Sequence, residues 1–225
     1  MLLNLDLCSI FFGDAQDSLI RNEIGSHHKV FEKLKKKLAV SELVFANQVH
    51  GIDGIVVDKY FNSFTYDADF LITNKKNIGI GVLTADCLPI VIVDEIKKVV
   101  CVIHAGWRGS EKKIGIHAIK KMQTSFGCDI KNLKIYFGSC AKKCCYEVGE
   151  DFVKNFEDLN SCFSKIKDKL FFDLVEFNKR QLCSFGVSGE RVCDKSCTCT
   201  ICNKNFCSFR RDNNFAREIT IVFLK

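Results

Sequence analysis

The chain has 225 residues, 47% hydrophobic and 27% charged, a balance that excludes a disordered protein and allows a large core without disulfide staples. Its formal charge of +6 comes from scattered lysines, densest at Lys35 to Lys37, with no basic stripe interleaved with aromatics, which argues against a nucleic-acid partner. The same positive balance helps to steer an anionic substrate such as phosphate.

Residues 1–12 read as a strand by apolar content, and residues 28–38 as a helix with Val30, Phe31, Leu34 and Leu38 at helical spacing. Leu43 to Val49 is a short apolar strand ending at His50-Gly51; Ile52 to Val57 and Phe70 to Thr73 are two more, the latter before a polar turn at Asn74 to Asn77. Ile78 to Leu83 and Leu88 to Val93 are β-rich runs interrupted by Thr84-Ala85-Asp86-Cys87. Val99 to Ile103 has the near-continuous apolar character of a fully buried strand. A helix is predicted from about Glu111 to Phe126, with Ile114, Ala118 and Met122 on one face and Gly127 as its stop. Leu133 to Phe137 is a strand, Glu150 to Phe156 and Leu174 to Phe185 are helical, and Glu218 to Leu224 is a closing strand. The mixture predicts α+β or α/β layers around a mixed sheet. One proline and no Gly/Ser-rich or Pro-rich linker favour a single domain over residues 1–225.

Fourteen cysteines could signal a disulfide scaffold. Several lie inside apolar runs, and Met1 to Phe12 lacks the basic segment and cleavage site of a secretory signal. Buried thiols and a few metal ligands in a reducing cytoplasm are expected instead. No charge-free apolar stretch reaches membrane-spanning length; the longest, Ile78 to Val93, contains Asp86. No membrane partner is expected.

Three segments each set a ligand type at a junction of apolar strand and loop: Asn47-Gln48-Val49-His50-Gly51, Ala85-Asp86-Cys87-Leu88-Pro89 and His104-Ala105-Gly106-Trp107-Arg108-Gly109. Strand ends on one sheet edge can converge. Two imidazoles and a thiolate fill three of zinc's four tetrahedral positions and leave the fourth open, as a catalytic site requires. A satisfied polar histidine and a core cysteine are the bland alternatives for each residue alone. His27 and His28 read as exposed, and His117 lies on an amphipathic helix.

A second cluster comprises Cys193, Cys197, Cys199, Cys202 and Cys207. Cys199-x-x-Cys202 has the spacing of half a zinc knuckle, but it needs a partner pair. The adjacent Cys144 and Cys145 are poorly placed to chelate together. Arg108, Arg210 and Arg211 are candidate anion binders. Asp86, next to Cys87, and Glu147, after Cys144-Cys145-Tyr146, are candidate proton carriers.

Taken together, these segments resemble the laccase-domain, YfiH-type family, named first for multicopper polyphenol oxidases and later recognised as purine nucleoside phosphorylases that also deaminate adenosine. The matching pieces continue through Cys144-Cys145-Tyr146-Glu147-Val148-Gly149, Asp173-Leu174 with Asn178 and Gln181-Leu182, and Cys199-Thr200 to Ser208-Phe209-Arg210-Arg211-Asp212, in family order over residues 47–217. The resemblance implies Zn2+ on His50, Cys87 and His104. It implies phosphorolysis of adenosine, inosine, guanosine and methylthioadenosine to base and ribose 1-phosphate, with some adenosine deamination. It also implies a four-layer α/β/β/α sandwich with mixed sheets, related to the catalytic domain of cytotoxic necrotizing factor toxins, acting in the cytoplasm as a monomer or homodimer.

On this reading Cys87 and His104 belong to the catalytic centre, Glu147 or Asp86 moves protons, and Arg108, Arg210, Arg211, Asn47 and Gln48 contact nucleoside or phosphate. The usual H-x-E and P-C-x-x-C deaminase signature is absent, so deamination would use a different constellation. The N-terminal Arg-x-Gly-Gly-Val-Ser signature of the family is missing, with Ser9-Ile10-Phe11-Phe12-Gly13 near its place. Both prolines before the cysteine pair are replaced in Gly138-Ser139-Cys140-Ala141-Lys142-Lys143, and the late Gly-Arg is Ala216-Arg217. Three rival readings stand beside this one. A copper oxidase of phenols would need more than the five histidines present. A cysteine hydrolase would use Cys87 as nucleophile and His104 as base. A zinc-stabilised interaction domain would have no turnover.

Overall fold

The computed structural model describes residues 1–20, 26–156 and 160–225. Two six-stranded sheets form its centre. The first runs β1 (Leu2–Asn4), β2 (Cys8–Phe12), β15 (Ala216–Leu224), β7 (Ile78–Thr84) and β4 (Glu42–Phe45), with β3 (Leu19–Ile20) paired to the start of β15. The second runs β14 (Val192–Cys193), β10 (Leu133–Phe137), β8 (Leu88–Asp94), β9 (Val99–Ala105), β6 (Phe70–Thr73) and β5 (Gly54–Val56). Parallel pairs (β4 with β7, β5 with β6, β10 with β14) make both sheets mixed. A small third sheet joins β11 (Glu147–Val148), β13 (Lys169–Phe172) and β12 (Phe163–Ile166).

Side-chain alternation along the strands sorts the core into layers. Val91, Val93, Val100 and Val102 of the second sheet face Val44, Ile80, Val82 and Val222 of the first. The opposite face of the second sheet, with Ile90, Ile92, Cys101 and Ile103, packs on α3 (Ile114–Phe126) and α5 (Leu174–Ser184) through Ile119, Met122, Phe177 and Leu182. The outer face of the first sheet, with Phe45, Leu83, Ile219 and Ile221, is covered by Leu34 and Leu38 of α1 (Ser26–Leu38). The order is therefore α/β/β/α. Every residue of β8 and β9 is buried because those strands are covered on both faces. Each such Val or Ile contributes roughly 1.5–3 kcal/mol of burial.

Several boundaries differ from the sequence expectation. Residues 1–12 are a hairpin rather than one strand, folding back where the Leu5 amide donates to the Cys8 carbonyl at 2.9 Å. The strand expected to reach Val49 stops at Phe45, because the chain there crosses from the first sheet towards the second, bridging Asn47 to Asp67. The helix expected over Glu111 to Phe126 breaks into α2 (Trp107–Glu111) and α3, since Lys113 adopts a left-handed φ of 63°. Gly127 ends α3 in the left-handed conformation expected of it, φ 64°. Over Glu150 to Phe156 only α4 (Glu150–Val153) is helical. The remaining helix, α6 (Phe209–Asp212), is capped by the Ser208 hydroxyl.

Antiparallel pairing decides which loops meet. Pro89 of β8 lies opposite His104 of β9, so the turn before β8, bearing Cys87, sits beside the end of β9. Phe70 of β6 lies opposite Ile103, which sets Asp69 beside His104, whose amide donates to the Asp69 carbonyl at 2.8 Å. The loop from β4 to β5 brings His50 to the same edge.

Candidate metal centre

His50, Cys87 and His104 present ligand atoms that all lie within 4.8 Å of one another. The two imidazoles meet edge to face, with ring centroids 4.7 Å apart. His104 is buried, while His50 and Cys87 are half-buried, so the group opens to one side. Gly106 backs it. A Cβ at that position would stand 3.0 Å from Cys87 Sγ and 3.1 Å from His50 Cδ2. A glycine therefore lets the backbone approach as closely as the group requires.

Asp69, buried to 1% exposure, organises the centre from behind. Its Oδ1 accepts from His104 Nδ1 at 2.8 Å and from the His50 amide at 3.0 Å. Its Oδ2 accepts from the amides of Gly51 at 2.6 Å and Val49 at 3.2 Å. One carboxylate thus sets the tautomer of His104, leaving Nε2 as its ligand atom, and holds His50 in a left-handed φ of 60°. Nothing in the sequence marked Asp69. The available signal was a lone acid opening the apolar run Phe70–Thr73, visible only once β6 is paired with β9.

The electrostatics suit a ligand set. Burial opposes charge on Cys87, but the charge and hydrogen bond of His104, with help from His50, overcome it and hold the thiol at about 6. Burial likewise opposes charge on His104, but Cys87 and Asp69 lift it to about 9. Asp69 is held below the ordinary carboxylate range because its hydrogen bond to His104 and those from the loop amides outweigh burial. Two nitrogens, one thiolate, a carboxylate behind a histidine and an open side match the donor set of a metal centre of the zinc type.

The centre forms part of the floor of an open cleft of about 410 Å3, whose walls carry Trp107, Arg108, Tyr146, Phe209 and Arg210. Arg108 lies over the Trp107 ring at 4.5 Å, and Arg210 over Tyr146 at 5.0 Å. The turn bearing Arg108 is anchored by Asn178 of α5, which donates to Ser110 Oγ at 3.0 Å. Asp86 also lines the cleft. It has a left-handed φ of 85°, accepts from Thr200 Oγ1 and from the Arg210 amide, each at 2.7 Å, and so ties three loops together. Glu218 of β15 is buried with neither oxygen hydrogen-bonded. Burial first, then the charge of Asp86, push its carboxyl up to about 9. A larger depression of about 740 Å3, beside α3 and α5, carries no histidine or cysteine among the described residues.

The other residues singled out in the sequence lie differently. Gln48 lines the cleft, but its amide group clasps the Leu83 backbone, donating to the carbonyl and accepting from the amide at 2.8 Å each. Asn47 donates to Asp67 at 2.7 Å, outside the cleft wall. Arg211 spends its guanidinium on the carbonyls of Thr200, Ile201, Asn203 and Phe206 and on Asp212, and Arg217 rather than Arg211 lines the cleft. Glu147 is exposed and pairs with Lys169 at 2.8 Å. A motif places a backbone in register, whereas the direction of its side chains is set by the third sheet and the α6 turn. His27, His28 and His117 stay on α1 and α3, away from the centre.

Comparison with known proteins agrees with this architecture. A family model described as multi-copper polyphenol oxidoreductase laccase matches residues 13–225. A purine nucleoside phosphorylase of Aquifex aeolicus is 40% identical over 169 residues, covering 75% of this chain and 76% of that protein. An adenosine deaminase from an unknown prokaryotic organism is 30% identical over 202 residues, covering 83% of this chain and 76% of that protein. The crystal structure of the Bacillus licheniformis protein YfiH superposes with a TM-score of 0.88 at 21% identity, covering 97% of this chain and 93% of the other.

Proposed function

Since the chain belongs to the multi-copper polyphenol oxidoreductase laccase family, we propose that it is a zinc-dependent purine nucleoside phosphorylase, with adenosine deamination as a second activity of the same centre. The observation that carries this reading is the convergence of His50, Cys87 and His104, backed by Asp69, on the floor of a cleft walled by aromatics and arginines. Zinc held there would supply a Lewis acid able to polarise a substrate oxygen or lower the pKa of a water. The names of the relatives from Aquifex aeolicus and the unknown prokaryote support the nucleoside substrate.

The chain's own residues divide the work. The cleft has the volume of a small-molecule site. Trp107, Tyr146 and Phe209 offer faces on which a purine can stack. Arg108 and Arg210 supply guanidinium groups for phosphate. Phosphorolysis breaks the bond from the base to the sugar, forms one from phosphate oxygen to the same carbon, and delivers a proton to the departing base. Asp86 is the carboxylate of the two candidates that lines the cleft, and we assign proton movement to it. Adenosine, inosine, guanosine and methylthioadenosine are the proposed substrates, with the chain acting in the cytoplasm as a monomer or homodimer. Among the described residues no helix is long and apolar enough to cross a membrane.

Cys87→Ala tests the reading. The variant should lose bound zinc and release of free base from a nucleoside panel with phosphate, while its circular dichroism stays unchanged. Undiminished turnover without zinc would reject it. The alignment Asp69–His104–Cys87 also favours a second reading, a cysteine hydrolase with an activated thiolate. His50 distinguishes the two, because a hydrolase needs no second imidazole at the sulfur. Loss of turnover on chelation, restored by zinc, supports the metal; loss on alkylation with zinc retained supports the hydrolase.

A further inference from the structure

We propose that the chain holds a second, structural zinc ion on Cys144, Cys145, Cys199 and Cys202. The four sulfurs lie within 4.8 Å of one another, although they come from two loops more than fifty residues apart. In a tetrahedral Zn–S4 centre with Zn–S bonds of about 2.3 Å, the sulfurs stand about 3.8 Å apart. The arrangement needs to contract by only about 1 Å to close on an ion.

The backbone is already shaped for it. Cys199-x-x-Cys202 occupies a turn in which the amides of Ile201 and Cys202, together with that of Lys142 from the other loop, point at the Cys199 sulfur. Amides aimed at a sulfur are the outer support that a ligating thiolate needs. The sequence argued against Cys144 and Cys145 acting together, because neighbouring side chains usually diverge. Here the amides of Cys145 and Tyr146 both donate to the Lys142 carbonyl at 2.9 Å, and the tight turn sets the two sulfurs on one side. This turn supplies the partner pair that half a knuckle lacks. The loops are joined independently of any metal by a parallel backbone β-bridge at Cys140 and Cys199, both free thiols, in which the Cys140 amide donates to the Thr198 carbonyl at 3.1 Å and the Thr200 amide to the Cys140 carbonyl at 3.0 Å. Cys199 is buried while Cys144 and Cys202 are exposed, so an ion has a path from solvent. Loading would exchange four thiol protons for one Zn2+.

The position gives the ion a role. Thr200, between the two cysteines of the turn, donates to Asp86, and Tyr146, directly after Cys145, lies under Arg210. A zinc here would staple two walls of the cleft, in a loop where the prolines of related chains are absent.

Metal content of purified wild-type protein, supplied with zinc, should be about two ions per chain. It should fall to about one in Cys87→Ala and in the Cys199→Ser/Cys202→Ser double variant. Cobalt loaded into Cys87→Ala should show the visible ligand-field and sulfur charge-transfer bands of a tetrahedral tetrathiolate. Should the double variant fail to fold, wild-type protein still decides the matter. Cys144 and Cys202 should resist iodoacetamide when zinc is present and react once it is stripped. A wild-type chain with a single zinc that Cys87→Ala loses entirely would overturn the proposal. So would iodoacetamide reactivity indifferent to zinc, or a mass deficit showing these cysteines paired as disulfides.

Discussion

Asp69→Asn isolates the carboxylate behind the metal centre. The aspartate accepts four hydrogen bonds, two on each oxygen. An asparagine of the same shape keeps one acceptor oxygen and turns an amide nitrogen towards two donors. If the oxygen stays with His104 and His50, the amides of Val49 and Gly51 lose their acceptor. Hydrogen bonds to a charged group are worth about 1.5–3 kcal/mol each. With relaxation of the half-exposed loop, a loss of about 3 kcal/mol is expected, equivalent to a fall in Tm of roughly 6–12 °C for a chain this size. Zinc affinity should fall about 10–100-fold, because His104 loses the group that orients it.

The acid limb of stability should change as well. The folded carboxyl of Asp69 lies below its unfolded value, so its contribution is present above the ordinary carboxylate pKa of about 4 and is lost as pH falls through the folded value. The variant has no such contribution to lose. Thermal unfolding across pH 3–8 and zinc competition with a chromophoric chelator read the two effects separately. An Asp69→Asn protein with wild-type Tm and wild-type zinc affinity would refute the account of how the centre is held.

Gly106→Ala has no backbone penalty, since Gly106 has a φ of −71°, but its methyl would crowd Cys87 and His50; zinc affinity should fall about tenfold or more in the same competition assay, with Tm nearly unchanged. Arg108→Ala should raise the apparent KM for phosphate about 10–100-fold through loss of a charge-assisted contact, measured by initial rates against phosphate concentration. Glu218 keeps its proton in the folded state to about pH 9, whereas an unfolded glutamate loses it near 4.3. Its stabilising contribution is complete below that lower value and drains away as pH rises towards 9. Glu218→Gln should therefore gain in Tm over wild type at pH 8 relative to the comparison at pH 5, and parallel Tm curves would contradict it.

His50, Cys87 and His104 could be picked out along the chain because each stands where an apolar run stops, and soft or imidazole donors at strand ends are uncommon enough to notice. The strands β6 to β9 were legible for a similar reason: strands covered on both faces are apolar at nearly every position, whatever they pair with. Local chemistry also determined the stop at Gly127, whose left-handed conformation costs a glycine little. Asp69 was invisible, since an isolated acid before Phe70 acquires meaning only when β6 and β9 align it with His104. Glu147 and Arg211 sit in recognisable motifs, yet their side chains go to Lys169 and to backbone carbonyls, because hydrogen bonds made across space outbid proximity in sequence. The four cysteines of the outer cluster show the same division. The Cys199-x-x-Cys202 spacing is a property of the chain, but the tight turn at Lys142 that brings Cys144 and Cys145 to it exists only in three dimensions. Residue type and spacing determine what chemistry is available; strand register and turn geometry, which depend on contacts between distant segments, decide which of those groups meet.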